Sequence, residues 1–240
     1  GYMEVFEPIA AALQVVLNTQ VVKVVETGDR VVLHTSAGRY EADHAVVTVP
    51  RAVLAAGGIE FSPPLPNPVR SAIDAIGTGC LSKTFLQFDT RWFASGSGND
   101  VDWYNNVTSR PNEWQAWATP HLASPNYLLA LNGGDFGREV EAMPDAEAVS
   151  LAMEALRGMF GSASVPEPIA FARSSWSLDP LALGSYSYLP VDASPEDRKT
   201  LAEEFSERVH LAGEATDADY PATVHGAWLS GIRVAEQILG

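Results

Sequence analysis

The sequence contains very few residues of the kinds that form covalent cross-links or metal centres. Among 240 residues there is one cysteine, Cys80, which excludes an internal disulfide and any metal site built from several cysteines. The five histidines lie far apart, with no HxH or HExxH spacing, so no metal site is expected. No apolar run approaches the roughly 20 residues of a membrane-spanning helix, so we expect no membrane partner.

Basic residues are also scarce. The chain has 15 Lys and Arg against 30 Asp and Glu, and its formal net charge is −15. This balance disfavours nucleic acid as a partner, because binding a polyanion needs clustered Lys and Arg. It suits a cationic ligand, although an acidic surface commonly serves solubility alone. With 46% hydrophobic residues, the chain can bury a substantial core in one or two domains.

The hydrophobic pattern alternates between short strands and helices, which predicts a mixed α/β fold. The run "AVVTV" is apolar throughout and predicts a strand buried on both faces. The proline-rich "FSPPLPNP" predicts a stiff connector, where the chain crosses between two domains. The clearest other elements are helices at 2–13, 144–161, 194–205 and 223–239 and strands at Gln20–Glu26, Arg30–Thr35, His44–Val49, 81–88, 127–134, 168–177 and 208–213.

The last strand and helix enclose a polar loop suited to holding a ligand. The strand "VHLAG" ends at Gly213, where the missing side chain lets another group approach the backbone. Glu214 follows as an acceptor suited to a ribose or ribityl hydroxyl. "YPATV" then begins a helix whose first N–H groups and positive dipole end favour an anion. Small residues along this helix, such as Gly226 and Gly231, are explained equally well by close packing on a sheet.

The whole stretch "LAGEATDADYPATVHGAWLSGIRVAEQIL" resembles the C-terminal signature of the flavin-containing amine oxidases. That family includes polyamine oxidases, lysine-specific histone demethylases and, more distantly, monoamine oxidases. The resemblance implies that Glu214 meets the ribityl–pyrophosphate part of FAD and that the backbone of Thr223 and Val224 reaches the N1/O2 edge of the flavin. A helix N-terminus there would stabilise the negative charge of reduced flavin. Gly213, Tyr220 and Ala222 belong to the same cofactor-binding stretch.

Four further stretches resemble the family in the same order, one of which, "HAVVTVPRAVL", resembles the strand and proline turn beside the cofactor. "LNTQVVKV" resembles the strand that pairs with the adenine, which implies a contact at Val21. "LSKTFLQFDTRWF" resembles the segment whose lysine, here Lys83, holds a water against flavin N5 and assists the reaction with oxygen. "SSWSLDPLALGSYSYLP" implies that Trp176 packs near the isoalloxazine and that Tyr186 flanks the amine. Taken singly, Lys83 could be a snorkelling edge lysine and Tyr186 an ordinary strand residue.

Two departures from the monoamine oxidases narrow the resemblance. The cysteine that links FAD covalently in those enzymes is replaced here by Ser185, so we predict that FAD is bound noncovalently. The second tyrosine of their aromatic cage is replaced by Thr223, which points to the demethylase, polyamine-oxidase or amino-acid-oxidase branches. We interpret His225 as a packing residue.

A third departure is the absence of GxGxxG, the turn that holds the ADP pyrophosphate. "GTGCLS" and "GSGND" have neither its spacing nor a helical pattern after them, and "GYMEVF" starts within a predicted helix. We therefore expect an incomplete Rossmann-like, two-domain amine oxidase fold whose N-terminal half is a second polypeptide, with a higher hetero-oligomer left open. Expected boundaries are 1–75 and 189–240 for the FAD-binding domain and 76–188 for the substrate-binding domain. A cytoplasmic location is expected, with any targeting signal in the missing half.

The function implied by the resemblance is FAD-dependent oxidation of a small-molecule amine, with hydride transfer to flavin N5 and hydrogen peroxide as a product. Lys83 and Tyr186 would be the catalytic residues. Two alternatives stay open from the sequence. An L-amino-acid oxidase would need a cationic group for the substrate carboxylate, and that group could lie in the missing half. A flavin-free scaffold subunit would have no need of Lys83 or of the turn at Thr223 and Val224.

Overall fold

The computed structural model describes residues 2–93, 102–119 and 126–240. The glycine-containing stretch "GSGND" considered above lies outside these ranges. Within them no helix is both long and apolar enough to cross a lipid bilayer.

The first third of the chain forms a four-stranded sheet with helices beside it. Its strand order is β3-β2-β1-β5, antiparallel except for the parallel pairing of β5 with β1. The elements in chain order are α1 (Tyr2–Ala10), β1 (Val21–Glu26), β2 (Val31–Thr35), β3 (Gly38–Ala42), β4 (Ala45–Val47), α2 (Arg51–Ala55), β5 (Glu60–Ser62) and α3 (Asn67–Ala75).

The remaining two thirds form a five-stranded antiparallel sheet in the order β11-β7-β10-β9-β8, followed by the C-terminal elements. The elements are β6 (Gly77–Thr78), β7 (Leu81–Gln87), β8 (Trp103–Asn105), β9 (Ala116–Ala118), β10 (Tyr127–Gly133), α4 (Gly134–Ala142), α5 (Asp145–Phe160), β11 (Ala170–Arg173), β12 (Ser187–Tyr188), α6 (Pro195–Ala202), β13 (Val209–Leu211) and α7 (Val224–Leu239). Short 3-10 turns lie at Ser162–Ser164 and Glu214–Thr216.

The five-stranded sheet buries one face against α4 and α5. Side chains alternate between buried and half-buried along both β7 and β10, as the two-residue period of a strand requires. Leu86, Leu128 and Trp117 face a core that includes Met153 and Leu156 of α5. Lys83 therefore lies on the opposite face of β7, and β7 is an interior strand rather than an edge.

A second core joins residues that are distant in sequence. It combines Val24 and Val31 of the first sheet with Ile73 of α3, Leu201 of α6 and Val209 of β13. The start and the end of the chain thus pack together, and the segment between them has its own core. The expected domain boundaries at residues 75 and 188 stay a prediction.

The mixed α/β class is confirmed, but two local expectations were wrong. Only residues 63–66 of "FSPPLPNP" form a connector, because its first two residues belong to β5, which pairs with β1, and α3 begins at Asn67 with Pro68 in its first turn, where a missing N–H costs nothing. "AVVTV" is not buried on both faces, because β4 pairs only with β13 among the described residues and Val46 is 43% exposed. Helix α4 and strand β3 were not predicted.

Candidate functional site

Strands β4 and β13 lie parallel, with Val47 opposite Leu211, so their carboxyl ends meet at one edge. Beyond that edge is a cavity of about 230 Å³. It is lined by the segments that follow the two strands, including Thr48, Pro50, Arg51, Ala212, Gly213 and Glu214. In open α/β sheets this is the position at which ligands bind.

Gly213 provides an opening beside the backbone in this cavity. Its φ of +131° lies in a region that side chains disfavour, and no heavy atom lies within 4 Å of the position a Cβ would occupy. Its N–H donates to the buried Ser230 Oγ at 2.8 Å, and its carbonyl accepts from Thr216 Oγ1 at 2.9 Å. The backbone is therefore fixed while the space above it stays open, which fits the approach of a flat ring system or a chain of hydroxyls.

Glu214 binds two separate segments of the protein. Its carboxylate accepts from the N–H of Ser187 at 3.0 Å, from Ser187 Oγ at 2.6 Å and from the N–H of Ala222 at 2.7 Å. Since a carboxylate accepts about four hydrogen bonds, these leave roughly one site for a ligand hydroxyl. Glu214 thus joins β12 to the loop before α7, a structural contact that the sequence did not predict.

Arg198 supplies a buried positive charge behind Glu214. The side chain belongs to α6, is 2% exposed, and donates from Nη1 to Ser187 Oγ at 2.7 Å and to the Ala215 carbonyl at 3.2 Å. Burial lowers the pKa of Arg198, while the negative charges of Glu214 and Asp217 oppose that shift. The hydrogen-bonded chain Arg198–Ser187–Glu214 therefore links a buried positive charge to the Glu214 carboxylate.

The N-terminus of α7 is held by its own capping residue. Thr223 Oγ1 accepts from the N–H of Gly226 at 3.0 Å and donates to the Tyr220 carbonyl at 2.7 Å. Ala222 has a positive φ of 59°, an uncommon conformation for a residue with a side chain. The first amides of a helix lack intrahelical acceptors, so those of Val224 and His225 remain available to an anion.

Arg51 adds a second positive charge at the edge of the same cavity. It begins α2, directly after Pro50, and donates to Thr78 Oγ1 from Nη2 at 2.7 Å and to the Ile73 carbonyl at 2.8 Å. Burial lowers its pKa, and the nearby Asp74, Tyr188 and Glu214 act in the opposite direction. The guanidinium remains charged, since arginine does not lose its proton in proteins.

Lys83 and Trp176 line a second, more open cavity of about 460 Å³. Its walls also include Phe85, Arg173 and Asp179. Trp176 is 47% exposed, and no carboxylate pairs with the Lys83 ammonium within residues 2–93, 102–119 and 126–240. The structure therefore brings together one aromatic and one lysine that the sequence assigned to a common site.

Two predicted site residues lie elsewhere. Tyr186 is 43% exposed and does not line the cavity of Lys83, and its carbonyl accepts from the N–H of Gly79 at 2.8 Å. Val21 lines a third cavity, which shares Val49 with the cavity beside Gly213. The contact of Val21 with adenine and that of Tyr186 with the amine stay predictions.

The single cysteine and Ser185 bear on how a cofactor could be attached. Cys80 is buried, and that burial, followed by the nearby charge of Glu141, raises the pKa of its thiol. Ser185 lines the first cavity, and its Oγ accepts from the N–H of Leu81 at 2.7 Å. Neither side chain is a nucleophile suited to a covalent link. In the described part of the chain no three His, Cys, Asp or Glu side chains cluster as metal ligands.

His210 of β13 makes the strand that leads to Gly213 sensitive to acid. It is 5% exposed, and its Nε2 lies 3.3 Å from Nδ1 of His44. Burial lowers the pKa of His210 and His44 lowers it further, with Arg233 adding a smaller effect, while Glu204 and Glu26 oppose the shift. The folded protein thus holds His210 neutral at a pH where the unfolded chain takes up a proton.

We expect the free energy of unfolding to fall as the pH drops below about 6.5, the ordinary pKa of histidine, with a ceiling of about 1.4 kcal/mol per pH unit for one proton. Urea titrations between about pH 7.5 and about pH 5.5 would measure the slope. His210→Gln should flatten it, whereas His34→Gln, at an exposed position on β2, should not. Equal slopes in wild type and His210→Gln would contradict the assignment.

Sequence reasoning missed Ser187, Arg198 and Arg51. Arg198 occurs in "SPEDRKTL", a polar helix in which one buried arginine cannot be distinguished from its exposed neighbours. Ser187 alternates with two tyrosines and is indistinguishable from an ordinary strand residue. Only their long-range partners identify them.

Comparison with known proteins identifies a family that matches almost the whole chain. Residues 1–239 match the family described as flavin containing amine oxidoreductase. Lysine-specific histone demethylase 1 homolog 1 of Arabidopsis thaliana is 33% identical over 247 residues, which cover 100% of this chain and 29% of that protein. Lysine-specific histone demethylase 2 of Homo sapiens is 32% identical over 99% of this chain and 29% of its own length.

Polyamine oxidase 4 of Oryza sativa subsp. japonica is 35% identical over 239 residues, or 99% of this chain and 47% of that protein. The chain thus spans less than half the length of each of these three relatives. The match to the family covers all but one residue and confirms the resemblance found in the sequence. The chain belongs to the flavin-containing amine oxidoreductases.

Proposed function

We propose that this chain forms the C-terminal part of an FAD-dependent amine oxidase. The bound cofactor would accept a hydride from the carbon next to the amine nitrogen, and oxygen would then reoxidise it with release of hydrogen peroxide. The imine product would hydrolyse to an aldehyde, releasing ammonia or the smaller amine.

The observation that carries the proposal is the open, fixed backbone at Gly213. It lies at the carboxyl ends of β4 and β13, beside the N-terminus of α7. A flavin is an anion when reduced, and the free amides of α7 and the nearby charge of Arg51 would favour that state. Glu214 would fix the turn at Ala222 and offer its remaining lone pair to a ribityl hydroxyl.

The residues present support noncovalent binding of FAD. The buried Cys80 has a raised pKa, and the hydroxyl of Ser185 is engaged by the backbone of Leu81. Affinity would therefore come from burial in the cavity and from hydrogen bonds, with no covalent link.

The cavity of Lys83, Trp176 and Asp179 would form part of the amine site. The Lys83 ammonium repels a protonated reacting nitrogen, so the amine would bind there in its neutral form, with Trp176 as an apolar wall. Lys83 would hold a water and assist the reaction with oxygen, and Tyr186 would flank the amine from the rim. No acid or base of this chain is required to act on the amine itself.

The substrate class we favour is an amine without a neighbouring carboxylate. Arg173 is the arginine that lines the cavity of Lys83, but it is already bound to Asp145 and to the carbonyls of Met143 and Val140. Its two terminal nitrogens are therefore already engaged, so an amino-acid carboxylate would have to pair with Lys83 or with a cation of the unit that completes the site. Relatives named as polyamine oxidase and as histone demethylases act on cationic substrates, which the net charge of −15 would attract.

We propose further that a GxGxxG-containing unit completes the site, as a second polypeptide in a hetero-oligomer. The chain spans only 29% and 47% of the length of two such relatives. Exposed apolar side chains are also concentrated at residues 3–17 and on α7, where Phe6 packs against the half-exposed Trp228. These surfaces would be covered by the missing unit.

The first experiment is a denaturing gel with intact masses on native-purified protein, together with its visible absorption spectrum. We expect a second chain that carries GxGxxG and flavin bands near about 450 nm, a property of the cofactor. A peroxide assay should then show turnover with polyamines or methylated lysine peptides and not with L-amino acids. A single colourless chain without oxidase activity would contradict the proposal and favour a scaffold. If L-amino acids were the only substrates turned over, the protein would be an L-amino-acid oxidase and the favoured substrate class would be wrong.

A further inference from the structure

We infer that Glu141 is a positioning residue that holds the turn bearing Trp176 against the strand bearing Lys83. The expected effect of Glu141 on amine binding rests on the proposed function. The hydrogen bonds by which Glu141 holds the turn do not depend on that function. Glu141 lies near the end of α4, is 4% exposed, and lies outside the candidate site described above. In the described part of the chain no lysine or arginine forms an ion pair with it.

Both carboxylate oxygens of Glu141 are occupied by one short segment. The N–H of Trp176 donates at 3.2 Å and that of Ser177 at 2.8 Å. The hydroxyl of Ser177 also donates, and that of Ser174 does so at 3.4 Å. A buried carboxylate with four donors and no cation costs free energy to desolvate, so the turn must be shaped to supply those donors.

The same segment is bonded to the strand of Lys83. The N–H of Lys83 donates to Ser174 Oγ at 2.8 Å, and the N–H of Ser174 donates to the Lys83 carbonyl at 2.9 Å. Ser174 thus touches Glu141 on one side and Lys83 on the other. A continuous path of hydrogen bonds leads from α4 through Ser174 to β7, and from α4 directly to the backbone of Trp176.

The consequence is that Glu141 sets the width of the amine cavity without lining it. Trp176 is 47% exposed, so its place depends strongly on its backbone. A carboxylate suits this position because each oxygen accepts from two donors, while a glutamine amide would turn a donor NH₂ group towards other donors. Loosening the turn should weaken amine binding and leave the hydride-transfer step largely intact.

The test uses Glu141→Gln in the native assembly, with Glu139→Gln as the matched control. Glu139 lies on the same helix but is exposed and pairs with Arg110. Hydrogen exchange read by mass spectrometry should show the amides of Trp176 and Ser177 exchanging about tenfold faster in Glu141→Gln, the loss expected for a hydrogen bond to a charged group. The amine KM should rise about tenfold with kcat changed less than about threefold and the flavin spectrum unchanged.

Ser177→Ala is the milder variant, because it removes the hydroxyl donor and keeps the amide. It should increase the exchange rate of the Trp176 and Ser177 amides about threefold. If Glu141→Gln does not fold, this variant tests whether Glu141 holds the turn. The inference would be overturned if the amides of Trp176 and Ser177 exchanged at the same rate in Glu141→Gln as in Glu139→Gln. It would also be overturned if exchange in Glu141→Gln were accelerated equally in β10 and α5. An unchanged KM would overturn the positioning role. A colourless protein with no amine turnover would refute the proposed function, and exchange at Trp176 and Ser177 would still decide whether Glu141 holds the turn.

Discussion

Replacing Lys83 with methionine is expected to slow the oxygen-dependent half of turnover about 100-fold, the range seen when one preorganised electrostatic contact is removed. Lys83 lies on an interior strand, faces the cavity of Trp176, and has no carboxylate partner in the described residues. Its charge is therefore available to stabilise the negative charge that develops as oxygen is reduced. Methionine keeps most of the length and the apolar packing of the side chain and removes the charge together with the N–H donors that would hold a water.

Stopped-flow absorbance would separate the two half-reactions. Anaerobic mixing with saturating amine should give a limiting reduction rate within about threefold of wild type, because the Lys83 charge acts on the form of the amine that binds and not on hydride transfer itself. Mixing the reduced protein with oxygen should show the loss. Lys199→Met is the control, since Lys199 is exposed and pairs with Glu196 on α6. If Lys83→Met reoxidises at the wild-type rate, the assigned role of Lys83 is wrong.

The parts of the fold that could be predicted are those specified by short-range pattern. Strands β7 and β10 lie within the short strand-like runs "LSKTFLQF" and "YLLALNGG", and α5 and α7 combine a helical pattern with glycine or proline near their ends, so each was predicted near its observed bounds. The site was predicted from its resemblance to a long family motif. The spacing of Gly226 and Gly231 could not predict it, because close packing of the helix on a sheet explains that spacing equally well.

The parts that could not be predicted depend on partners far away in sequence. Glu60–Ser62 became β5 only because β1 lies beside it, 37 residues earlier in the chain (Lys23 opposite Glu60), and the proline pattern around it indicated a connector. Val46 is exposed because β4 has only β13 as a neighbour in the described residues. The roles of Ser187 and Glu141 come from hydrogen bonds to residues far away in sequence. Such contacts produce no periodic pattern from which they could be predicted.

The second large effect is expected from Gly226→Ala, which should both unfold the turn before α7 and remove bound flavin. A Cβ at this position would lie 2.0 Å from the carbonyl oxygen and 2.9 Å from the carbonyl carbon of Tyr220, so the backbone must move. That turn carries Ala222, which bonds Glu214, and Thr223, which caps the helix. Overpacking costs about 1–3 kcal/mol and a lost cap about 1 kcal/mol, so a net loss of about 2 kcal/mol or more is expected.

Gly231→Ala is the matched control, because it makes the same substitution one and a half turns further along α7 where a Cβ would meet no atom within 4 Å. There alanine should stabilise the protein by about 0.5–1 kcal/mol through its higher helix propensity. Urea midpoints and the flavin-to-protein absorbance ratio would measure both effects. If both variants gained stability and kept their flavin, the close approach of Tyr220 to Gly226 would not constrain the turn. In that case Glu214 alone would have to hold the cofactor-binding end of α7, since it is the remaining side chain that fixes the backbone of Ala222.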